Sequence, residues 1–146
     1  MNLSVSPRPE TKSRFIKEHE VTLTRLKDEL AKAMIDAKLG QDGSLFVYDT
    51  ALSSPVWIEI NPNRKRITFK TWDLAPPCSS EVEALRAVND ANAYLELVQF
   101  HFDLGKVWGC YWMSYVDGIS VRQFIKTLHW FDKSFREGMK FEPARV

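Results

Sequence analysis

The residues of this sequence that are able to do chemistry are few and scattered. His19, His101 and His129 fall on three separate predicted elements, and no two histidines have the spacing that would place both on one metal ion. Cys78 and Cys110 lack the paired spacing of a zinc or redox site and read as free thiols. Glu81 and Glu83 open a predicted helix, where negative charge complements the positive end of the helix macrodipole, so a structural role suffices for them. Gly105 and Gly109 lack the glycine-rich spacing that cradles phosphate, and no nucleophile elbow is present. The sequence thus predicts no catalytic residue, no metal and no cofactor. A small-ligand module or an enzyme with an unrecognised pocket stays open as an alternative, and it would need His101, Asp103 or Cys110 to cluster between sheet and helices.

Two groups point instead to binding. Arg64, Lys65 and Arg66, followed by Lys70, make a basic strand with an aromatic neighbour. That pattern suits weak contact with single-stranded nucleic acid, or a solvated hairpin tip that discourages edge pairing. The second group is the tryptophans: Trp57, Trp72, Trp108, Trp112 and Trp130 are many for 146 residues. Strand alternation sets Trp57 against the face of Val56, Ile58 and Ile60, whereas for the strand of Trp108 and Trp112 either face can be the core. Large indoles left open on a sheet favour association with another protein or a second copy of the chain.

The totals fit this reading. With 20 Lys and Arg against 19 Asp and Glu the net charge is +1, so no strong field draws nucleic acid or an anionic membrane. A hydrophobic share of 45% supplies one packed core. No stretch approaches the ~20 apolar residues that span a bilayer, and the opening residues lack a secretion-signal core, so a cytoplasmic protein is expected.

Periodicity predicts the elements that position these groups. A long helix is expected over 9–39 from Ile16, Leu23, Leu26, Leu30 and Met34, closed by Gly40. Strands follow over 45–49, 56–60 and 66–72, the last two forming a hairpin. Ser80 with Glu83 caps a second helix, whose stripe is Val82, Leu85 and Val88 and which ends near Asn92. Aromatic strands over 94–102 and 106–114 flank Asp103, Leu104 and Gly105, and Ser120 with Gln123 opens a last helix. The expected fold is α+β, with a five-stranded antiparallel sheet and three helices in the order α-β-β-β-α-β-β-α. A flexible leader over 1–13, one domain over 14–140 and a tail over 141–146 complete the expected organisation.

The second half, AVNDANAYLELVQFHFDLGKVWGCYWMSYVDGISVRQFIKTLHWF, resembles the YbjN family, described as candidate bacterial sensory transduction regulators. The likeness rests on two asparagines three apart, Asn89 and Asn92, then a hairpin, then a helix opened by Ser120. The whole element order is similar to the type III secretion chaperone fold. This resemblance implies a non-enzymatic, often dimeric domain that binds an as yet unidentified protein, with helices packed on a twisted sheet. True secretion chaperones tend to be acidic, and this chain's neutrality ranks a dedicated chaperone role second to a regulatory adaptor.

Overall fold

The computed structural model describes residues 14–75, 80–94 and 98–140. The expected leader over 1–13, the tail over 141–146 and Cys78 lie outside the described residues.

The first departure from expectation comes at once. In place of one helix from residue 9 to 39, the chain forms strand β1 (Phe15–Ile16), a 3-10 turn (Glu18–Glu20), helix α1 (Leu23–Lys32) and strand β2 (Ala37–Leu39). Thr22 stops the helix from extending backward, because its side chain accepts the amide of Arg25 at 3.1 Å as an N-cap. At the other end Met34 takes a left-handed φ of 61° and turns the chain out, while Ile35 N–H donates to the Leu30 carbonyl at 2.9 Å. The three-to-four spacing of apolar residues across this stretch is real. It merges Ile16, buried as a strand residue, with Leu26 and Leu30, buried as helix residues.

Strands β3 (Leu45–Val47), β4 (Val56–Asn61), β5 (Arg66–Leu74), β6 (Gln99–Asp103) and β7 (Lys106–Ser114) join β2 in one antiparallel sheet of order β2-β3-β4-β5-β7-β6. The sheet therefore has six strands, not five. The extra one is β2, whose three residues are too few to show an alternation of their own, and which pairs with β3 across the turn at Gly43. Strand β8 (Ile119–Ser120) pairs separately with β1. Helix α2 (Glu81–Tyr94) borders β6, and helix α3 (Val121–Gly138) crosses the sheet.

Both expected caps form: Glu83 N–H donates to Ser80 Oγ at 3.2 Å, and Gln123 N–H to Ser120 Oγ at 2.9 Å. The stripe expected on α2 does not. Its buried positions are Ala84 and Val88, with Ala91 against the core, whereas Val82 and Leu85 stand exposed. Small alanines let α2 approach the sheet closely, and a stripe read from the largest apolar residues passes over them.

One face of the sheet carries the core. Register aligns Leu45, Ile58, Phe69 and Tyr111 in one row across four strands, and Ile60, Ile67 and Met113 in the next. Leu26 and Leu30 of α1 and Phe124, Leu128, Phe131 and Phe135 of α3 close over them. Phe69 touches Phe124 and Phe131 at ring distances of 5.9 and 6.0 Å. Helix α3 sits so near β7 that a side chain at Gly109 would collide with the Phe135 ring.

Candidate functional site

The opposite face of the sheet is built by the other half of the same alternation. Phe46, Trp57, Lys70, Cys110 and Gln99 lie in one row across β3, β4, β5, β7 and β6. Trp72, Trp108 and His101 form the row on one side of it, and Glu59, Thr68 and Trp112 the row on the other. This settles the strand that alternation left open: Trp108 and Trp112 point away from the helices, while Val107, Gly109 and Met113 point toward them. None of Phe46, Trp57, Trp72, Trp108 and Trp112 belongs to the core cluster. Among the described residues no helix covers them.

The aromatic rings are in mutual contact. The imidazole of His101 stacks on Trp108 at 6.0 Å and 3°, and Trp108 meets Trp72 at 6.1 Å. Beyond the Lys70 row, Trp57 meets Phe46 at 5.1 Å, and Phe46 stacks on Tyr48 at 5.5 Å. Cations lie on this layer. The guanidinium of Arg66 sits 3.6 Å from the centre of the Trp112 ring, and Lys106 Nζ sits 4.2 Å above Trp72. Trp57, Trp72 and Trp108 are half-buried by these neighbours, and Trp112 is 43% exposed. Open indoles of this kind release ordered water when a partner covers them, and their N–H groups remain available to hydrogen-bond.

Trp130, expected with the other four as a binding residue, lies elsewhere. It is on the helix side, packed edge-on to Tyr111 at 5.4 Å. Four of the five tryptophans are thus brought onto one surface and the fifth is separated from them by the thickness of the sheet.

The basic residues are brought together less completely. Arg64 is exposed at the hairpin tip, where its amide donates to Asn61 Oδ1. Lys65, at a φ of 51°, turns away and pairs with Glu18 at 2.9 Å. Arg66 is laid on Trp112, and Lys70 pairs with Glu59 at 2.9 Å across the strands. The hydrogen bond from Lys65 holds the Glu18 carboxyl below its usual range and raises the Lys65 ammonium above its own.

His101, Asp103 and Cys110 do not cluster between sheet and helices. His101 stacks on Trp108, Asp103 ends β6 at its hairpin turn, and Cys110 faces Gln99 across the strands. Burial pushes the Cys110 thiol up, with Lys70 pulling weakly the other way, which leaves it protonated and slow to react at neutral pH. Among the described residues no group of three or more His, Cys, Asp and Glu is placed to hold a metal ion. No helix of the described residues is long and apolar enough to cross a membrane.

Asn92 has a role that its position near a helix end concealed. Its side-chain amide donates to the Phe100 carbonyl at 2.8 Å and accepts the Phe100 N–H at 2.7 Å. One side chain thereby pairs with the outer edge of β6 as a neighbouring strand would, and satisfies backbone groups that otherwise invite another chain. Asn89, its companion in the sequence pattern, is exposed.

No protein-family model matches this chain, and no curated protein matches its sequence. Solved structures do match its fold. YbjN from E. coli, a candidate transcription regulator, superposes with a TM-score of 0.68 at 15% identity, covering 82% of this chain and 89% of that one. The HopA1–SchA chaperone–effector complex gives 0.60 at 12% identity over 81% of this chain and 92% of the matched one. The ExsC–ExsE complex gives 0.53 at 16% identity over 84% and 96%. The α+β fold of this chain is the one shared by YbjN and these complexes.

Proposed function

We propose that this protein is a non-enzymatic regulatory or chaperone-like adaptor of the cytoplasm, which binds another protein and works as a homodimer. The observation that carries the reading is the open sheet face, with Trp57, Trp72, Trp108 and Trp112 in three adjoining rows and no covering helix among the described residues. A contiguous aromatic patch of this kind marks an association surface, and buried indoles with arginines beside them are the residues on which such interfaces depend most. The fold it shares with a candidate regulator and with two protein complexes agrees with a binding role, although a fold by itself assigns no activity.

A dedicated secretion chaperone is the second reading, favoured by the match to a chaperone–effector complex. The nucleic-acid reading loses support from the structure, because Lys65 and Lys70 are held by Glu18 and Glu59 and Arg66 is held against Trp112.

Sedimentation velocity on the intact chain tests the proposal, with Trp57→Ala and Trp112→Ala alongside. The expected result is a dimer at micromolar concentration that shifts toward monomer in either variant, together with a crosslinked host protein lost from the same variants. A monomer whose sheet tryptophans resist acrylamide quenching would remove the reading.

A further inference from the structure

The exposed side of α3 carries a second surface, separate from the aromatic sheet face. Arg122, Lys126, His129 and Lys133 recur at intervals of four, three and four residues and form one exposed stripe, about 16 Å long from end to end. None of the three permanent cations is in an ion pair among the described residues. Two acids near the stripe are committed elsewhere, and exposed Glu137, one turn beyond Lys133, makes no ion pair with it. Asp132 is buried and accepts the amides of Ser53 and Ser54, and Asp49 accepts those of Asp36 and Ala51. Along the stripe runs an open groove of about 660 Å³, in which Tyr111 and Trp130 supply aromatic surface, Lys126 and Lys133 supply charge and His129 adds an imidazole edge. Unpaired lysines around an aromatic floor match a ligand that brings carboxylates and an apolar side chain together.

We infer that this groove docks an acidic segment of a partner polypeptide, with an apolar side chain seated against Trp130 and Tyr111 and flanking carboxylates on Lys126 and Lys133. The inference rests on the reading that the chain binds a polypeptide, and it names the chemistry of that partner and a surface other than the open sheet face. A peptide is favoured over single-stranded nucleic acid because the groove offers one aromatic seat, where a nucleic acid strand needs a series of stacking platforms. The near-neutral net charge adds no long-range pull on phosphate.

The test is fluorescence anisotropy of the intact protein with a labelled twelve-residue peptide of Glu and Asp around a central leucine. Three probes run beside it: the same peptide with serine for leucine, a lysine version of it, and labelled oligo-dT of twenty nucleotides. The leucine-centred acidic peptide should bind best, and more weakly as salt rises. Its affinity should fall by about tenfold or more in Lys126→Glu/Lys133→Glu, whose positions are exposed and whose circular dichroism should match that of the unaltered chain. It should fall again in Trp130→Ala and be unchanged in Trp112→Ala. Absence of binding, equal binding to the double variant, or tighter binding of oligo-dT than of the peptide would each overturn the inference. A monomer whose sheet tryptophans resist quenching would overturn only the earlier proposal, since this readout does not depend on the sheet face.

Discussion

The two faces of the sheet come from alternate residues of the same strands, yet they are made of different chemistry. Toward the helices stand Leu45, Val56, Ile58, Ile67 and Phe69, all fully buried and without a polar atom among their side chains. Away from the helices stand indoles, an imidazole and cations, none fully buried. The difference separates two uses of apolar surface. Side chains that must never meet water carry the stability of the fold, while side chains with a polar handle tolerate water until a partner arrives. Substitutions on the two faces should therefore fail in different assays.

The largest expected effect sharpens this contrast. Phe69→Ala empties a site walled by Phe124, Phe131 and Tyr111 and should cost about 3 to 5 kcal/mol, read as a lowered midpoint in urea. Trp112→Ala, directly across the same sheet, should cost no more than about 0.5 to 1 kcal/mol, set by the loss of one exposed cation–π contact with Arg66. A large stability loss for Trp112→Ala would mean that the outer face is itself part of the core, and the comparison would fail.

Gly109→Ala is the next test. The new methyl group would meet the Phe135 ring on the covered face and force α3 away from β7. A cost of about 1 to 3 kcal/mol is expected from thermal or urea unfolding, adding independently to that of Trp57→Ala on the outer face two strands away. Coupling between the two substitutions would show that the faces are not energetically independent.

Alternation made this contrast legible for β4 and β5, where Val56, Ile58 and Ile60 oppose Trp57, and Ile67 and Phe69 oppose Arg66, Lys70 and Trp72. It did not decide β7, because a strand carrying Trp108, Tyr111 and Trp112 is apolar on both sides. Gly109 held the missing signal, since only the face pressed by a helix needs a residue with no side chain. The first helix was read too long because β1 and β2 are two and three residues, shorter than any period that could reveal them. The site itself was half legible. The aromatic excess singled out the five tryptophans, but that four of them share one surface and Trp130 does not became visible only once α3 was placed on the opposite side of the sheet.

The edge at β6 offers a smaller effect. Asn92→Ala removes both hydrogen bonds to Phe100 and leaves its backbone groups to find water or another chain. About 1 kcal/mol of stability should be lost, with faster amide exchange at Phe100 by NMR and more self-association at high concentration. Sedimentation in Trp57→Ala distinguishes this edge pairing from association through the sheet face.

The smallest effect concerns the seam where β1 closes the covered side. Glu18 holds Lys65 at 2.9 Å and also accepts the Asp117 amide at 3.2 Å, which fastens the segment carrying buried Ile16 against β8. The Glu18 carboxyl is depressed by these bonds, so its contribution is present at neutral pH and fades as pH falls through its folded-state value, below the ordinary carboxylate range. Lys65 is raised, so its share is present at neutral pH and fades only when pH climbs through its folded-state value, above the ordinary lysine range. The protection of the Asp117 amide, relative to its intrinsic exchange rate at each pH, should fall on acidification before that of Phe69 changes, and Glu18→Gln should remove that pH dependence. Because Lys65 is exposed and Glu18 partly so, added salt should weaken the same contact, whereas the packing of Phe69 under α3 should not respond.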